Sequence, residues 1–154
     1  MKQTLSYLHR IAGVLAFLMI MSFFSSTLIT ELMGDQAAIL TVKKVISYGV
    51  WILIPLMVIT GVTGSKMAPK ANAGPIGKKK KRMPFIALNG LLILLPCAIY
   101  LQHLASSGSF DMTFYTVQAA ELIAGFINLV LMSLNIRDGM RVVRAKKIMQ
   151  GQQE

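Results

Sequence analysis

Four long apolar stretches set the pattern of this chain. Ile11 to Thr30, Val45 to Ser65 and Met83 to Phe110 contain no Asp, Glu, Lys or Arg, and Met112 to Ile136 contains a single one, Glu121. Each reaches the roughly 20 residues that a helix needs to cross a hydrocarbon core about 30 Å thick. The pattern predicts an all-α membrane protein, an antiparallel bundle of four transmembrane helices over residues 6–31, 42–65, 83–106 and 112–140, forming one domain of 154 residues. The first stretch follows Lys2 and Arg10 as a secretory signal would. It runs longer than the roughly 7 to 15 residues of a signal core, and Ser25-Ser26-Thr27-Leu28 offers no small-x-small cleavage site, so a retained helix is expected.

Composition agrees with the pattern. Hydrophobic residues make up 55% of the chain and charged residues only 14%, well below the roughly 25% of a soluble domain, which excludes an ordinary soluble enzyme. The net charge of +10 then needs locating. Seven cations fall between residues 66 and 82 (Lys66, Lys70, Lys78, Lys79, Lys80, Lys81, Arg82) and five after Ile136 (Arg137, Arg141, Arg144, Lys146, Lys147). With Lys2 and Arg10, fourteen of the sixteen basic residues lie on one side of an even-numbered bundle. The other side holds Lys43 and Lys44 against Glu31, Asp35 and Asp111. The positive-inside rule therefore puts both termini and the central segment in the cytoplasm, with a bacterial-type inner membrane as the expected location.

The run Lys78-Lys79-Lys80-Lys81-Arg82 reads as a topology determinant beside anionic lipid headgroups, where each cation contributes on the order of 1 kcal/mol. It lacks interleaved aromatics, and no nucleic-acid partner is expected. The preceding Pro-, Gly- and Ala-rich residues suggest a flexible basic connector over 66–82, and residues 141–154 suggest a basic tail. Cys97 is the one cysteine, and no Cys or His group has metal-ligand spacing, so no metal site is expected.

The fourth stretch carries the clearest internal pattern. Gln118, Glu121, Gly125, Asn128, Met132 and Asn135 are spaced 3, 4, 3, 4 and 3 residues apart, which places them on one helical face. Polar amides in lipid are costly, so the stripe should face the bundle interior. Glu121 then has two readings. It is a proton carrier or ion ligand, or it is structural, pairing with Lys43 or Lys44 or with hydroxyls such as Ser22 and Ser26.

The two histidines, His9 and His103, fall at opposite ends of their helices, so one bis-histidine haem is not expected. His/Met ligation stays open, with Met33 or Met112 on the side of His103 and Met67 or Met83 on the side of His9. Ser6-Tyr7-Leu8-His9-Arg10-Ile11-Ala12-Gly13 resembles the opening of the first transmembrane helix in the cytochrome b membrane-anchor subunit of succinate dehydrogenase, where a Ser-x-x-His-Arg-x-Ser/Thr-Gly pattern occurs. The resemblance implies quinone contact by Ser6 and Arg10 and a position near haem b propionates for His9 and Arg10. It covers eight residues; Ala12 stands where the family has a hydroxyl, and the second helix has no histidine.

Three functions are consistent with these residues. The first is a non-catalytic accessory or assembly subunit, working through partner transmembrane helices in a larger membrane complex or as a homo-oligomer. The second is a quinone- or haem b-associated electron-transfer anchor using Ser6, His9 and Arg10. The third is a small proton or ion transporter built on Gln118, Glu121, Asn128 and Asn135.

Overall fold

The computed structural model describes residues 2–67 and 74–151, and every regular element among them is helical. The order is α1 (Lys2–Met33), α2 (Gln36–Met67), α3 (Gly74–Asn89), a π-helical turn (Gly90–Leu94), α4 (Leu95–Ser106) and α5 (Met112–Gly151). Because α3, the π turn and α4 form one continuous rod, four helices are long and apolar enough to cross a membrane: Gln3–Met33, Gln36–Met67, Gly77–Ser106 and Met112–Ala145. This is a multi-pass membrane architecture. His9 meets Thr60 and Thr63, and Arg82 meets Asp138. Early residues of one rod thus face late residues of another, as up-and-down hairpins require.

The helices run longer than the apolar stretches alone predict, and the polar punctuation explains why. Only Gly34 and Asp35 separate α1 from α2. Gly34 takes a positive φ of 67°, a conformation that costs glycine little, and it ends α1 with its N–H bonded to the Thr30 carbonyl. Asp35 then caps α2 by accepting from the Ala37 N–H at 2.9 Å, and Asp111 accepts from the Phe114 N–H to start α5. Lys43 and Lys44, expected at the start of a second helix over 42–65, therefore lie two turns inside α2.

The basic connector needs a larger correction. Residues 74–82 are helical, so the third rod starts at Gly74 and Pro84 lies within α3 rather than in its first turn. Residues 68–73 of that connector lie outside the described residues. Residues 141–151 likewise continue α5, and residues 152–154 of the expected tail are outside the description. Trp51 is the 16th of the 32 residues of α2 and thus sits midway along it.

The π turn has a local cause. Pro96 has no N–H, and in an α-helix its ring would press on the carbonyl of Leu92 four residues earlier. The backbone widens just before it, and the Leu95 N–H bonds to the carbonyl of Gly90, five residues back.

Apolar packing is layered along the bundle. Ile39, Leu101, Ala105 and Phe114 fill the end near the short connections. Ile46, Val50 and Ala98 follow, and Ala16, Ile20, Ile86 and Met132 lie further on. Lipid tails are as apolar as these side chains, so close packing and interhelical hydrogen bonds, rather than escape from water, must hold the rods together.

Candidate functional site

The stripe of α5 does turn inward: Gln118, Glu121, Gly125, Asn128, Met132 and Asn135 are all buried. It continues one step further than the sequence reading took it. Asp138, three residues beyond Asn135, is also buried, although strict alternation would put the next position at Gly139. Between its helices the bundle holds four polar groups, three of them on this stripe.

The first is an ion pair. Lys43 of α2 donates to Glu121 Oε2 at 2.5 Å, with the lysine side chain only 1% exposed. Gln118, one turn earlier, donates to the same oxygen at 3.0 Å. Of the partners considered for Glu121, Lys43 is the one the fold supplies. Glu31, in the last turns of α1, interacts electrostatically with both members of the pair, and its Oε1 is buried without a hydrogen-bond partner. Glu31 closes the helix expected over residues 6–31, and nothing local reveals that α1 runs past it to Met33.

The second is a pair of amides. Asn89, the last residue of α3, donates through Nδ2 to the Ala124 carbonyl at 2.8 Å and to Asn128 Oδ1 at 3.1 Å. The third lies near the far end of the bundle, where Arg82 donates to Asp138 Oδ2 at 2.7 Å and Arg137 lies 3.6 Å from Oδ1.

The fourth group surrounds His9, which is buried. Its Nδ1 lies 3.0 Å from the Thr60 carbonyl and 3.1 Å from Thr63 Oγ1. A carbonyl can only accept, so Nδ1 carries the proton and Nε2 presents a lone pair. Lys79 fills that position, donating from Nζ at 2.9 Å. Gly64 makes room for the ring: a β-carbon there would come within 3.1 Å of His9 Cε1 and 3.7 Å of Met83 Cε. His9 and Met83 are thus neighbours, but both ring nitrogens are engaged. A haem iron finds no free nitrogen on His9 in this arrangement. His103 is exposed in the last turn of α4, at the other end of the bundle.

The residues carried by the resemblance do not converge. His9 points inward, Arg10 is exposed and Ser6 is half-buried between them. The basic run is also divided. Lys79 and Arg82, three residues apart on one face, turn toward His9 and Asp138, while Lys78 and Lys81 are exposed. A run of like charges read along the sequence cannot reveal this split, which depends on α3 being helical. Among the described residues, no group of three or more His, Cys, Asp or Glu could hold a metal ion.

Removing Asp138 should expose how much the far end depends on it. Arg82, Arg137, Arg141 and Lys79 all interact electrostatically with it. Asp138→Asn is expected to lower the thermal unfolding midpoint in detergent, and Arg82→Gln in the same chain to restore part of the loss. Equal midpoints for Asp138→Asn and the parent would show the pair to be energetically idle.

Compared with models of known protein families, with curated proteins and with solved structures, the chain matches none of them.

Proposed function

We propose that this chain is a non-catalytic accessory or assembly subunit of the bacterial-type inner membrane, acting through partner transmembrane helices. One observation carries the reading: Glu121, His9 and Asp138, three buried titratable side chains, are engaged in joining helices of this bundle. Glu121 is held by Lys43 and Gln118, His9 by Thr60, Thr63 and Lys79, and Asp138 by Arg82. A proton carrier needs a carboxyl free to load and unload, and an axial ligand needs a free nitrogen. Here both are occupied by groups that stitch α1, α2, α3 and α5 together. What remains for interaction is the outer surface, large and apolar.

The orientation that fits this role has both termini and the α2–α3 connection in the cytoplasm, by the positive-inside rule. Lys78 and Lys81, exposed on α3, then sit where anionic headgroups meet the bundle.

The test is photo-crosslinking in native membranes. A photoreactive residue at Trp51 or at Leu92, each 69% exposed, is expected to give an adduct with another polypeptide from at least one face. Mild-detergent extraction should co-purify the same polypeptide, and a second copy of this chain would indicate a homo-oligomer. Lipid adducts alone from both faces, with a monodisperse single chain after extraction, would overturn the proposal.

A further inference from the structure

A cavity of about 410 Å³ lies inside the bundle, walled by all four membrane-crossing rods. That size is within the roughly 300–1,000 Å³ typical of small-molecule sites. Its inner wall includes Ile20, Thr27 and Asn128, all buried, and its rim includes Val58, Val62 and Leu91, all exposed. The mouth therefore opens sideways between α2 and the π turn. On that outer surface the neighbouring medium is lipid, so an occupant enters from the bilayer.

The wall is apolar except at a few points, and one of these is unfinished. Asn128 is 0% exposed, yet its Nδ2 has no hydrogen-bond partner. The amide's orientation is fixed by its neighbours. The Ala124 carbonyl can only accept, so Asn89 must present Nδ2 to it, and the same Nδ2 reaches Asn128 Oδ1. Turning Asn128 over would set two amide nitrogens against each other. Its Nδ2 is thus left as an unanswered donor beside Gly90, where a β-carbon would stand 3.8 Å from it, and both residues line the cavity. A buried donor without a partner costs about 1–3 kcal/mol, which an acceptor brought by an occupant would recover. The π turn begins at Gly90 and forms part of the same wall; such local widenings recur at functional sites.

Charge narrows the occupant further. Glu121 is the one ionisable residue among those lining the cavity, and Lys43 already answers it. An ionic occupant would therefore meet no uncompensated opposite charge on the wall. We infer that the cavity binds a neutral, lipid-phase molecule that presents a carbonyl oxygen to Asn128 Nδ2 and lays its apolar body along α2 and the π turn. An isoprenoid quinone and an acyl ester share this chemistry. The site is separate from Ser6, His9 and Arg10.

Full-length protein in nanodiscs can be titrated with a radiolabelled short-chain isoprenoid benzoquinone and, separately, with a radiolabelled long-chain fatty-acid methyl ester, against empty nanodiscs of the same lipid. At least one probe is expected to bind saturably above the empty discs, and which one does so separates the two sources. Asn128→Leu should weaken that binding about tenfold, the effect of one hydrogen bond plus the loss of its buried donor. Gly61→Leu should abolish it, because Gly61 lines the cavity and a β-carbon there meets nothing within 4 Å, so the leucine side chain has room to start into the cavity. No saturable binding of either probe would overturn the inference. So would undiminished binding in both variants. If Asn128→Leu fails to fold, Gly61→Leu alone decides.

Discussion

Lys43→Met is expected to destabilise the bundle by about 3–5 kcal/mol, the usual consequence of removing one partner from a buried ion pair. Lys43 reaches Glu121 with its side chain 1% exposed, so neither water nor headgroups can take its place. The loss arises mainly from the carboxylate left behind in a low-dielectric interior, with Glu31 as a further negative neighbour. The double variant Lys43→Met with Glu121→Gln should therefore recover most of it. Both groups are then neutral, and the glutamine can still bond Gln118. Unfolding in mixed micelles by SDS titration measures all three proteins. A double variant no better than Lys43→Met would mean that the lysine acts through packing and not through the carboxylate.

The second large effect is expected at His9. His9→Leu keeps the volume roughly constant but removes an acceptor from Lys79 and a donor from Thr60 and Thr63. An ammonium left partly buried without an acceptor should cost about 1–3 kcal/mol. Adding Lys79→Met should restore much of that, since replacing both partners by apolar groups is often close to neutral. His9→Gln, with an acceptor and a donor of its own, should fall between the two. The same titration reads the series. If His9→Leu proves as stable as the parent, His9 is not part of the bundle's structure, and its engagement by α2 and α3 no longer argues against a cofactor role.

Much of the fold was legible in the sequence because bilayer thickness and helix geometry act on composition directly. Four charge-poor stretches became four spanning rods. The inward stripe of α5 was readable because a 3-4 repeat of Gln118, Glu121, Asn128 and Asn135 admits one interior face. The limits of the rods were less legible. Gly74 to Arg82 looked like a connector because lysines and glycines dominate it, yet this segment extends α3, and Lys79 and Arg82 differ in fate from Lys78 and Lys81 through rotation about the helix axis alone. Lys43 looked like a boundary residue because a buried lysine is normally too costly. Its partner lies 78 residues away on another rod, and no local signal could announce it.

The sequence by itself determined that the chain has four helices long and apolar enough to cross a membrane and that α5 turns a polar face inward. Hydrophobic length and helical periodicity are local properties, and solvation acts on them residue by residue. The tertiary structure alone decided which polar groups answer one another: Lys43 with Glu121, Lys79 with His9, Arg82 with Asp138. It alone decided that Asn128 keeps one donor unanswered beside a cavity at the π turn. These outcomes depend on distances of a few ångströms between rods, and only packing sets those distances.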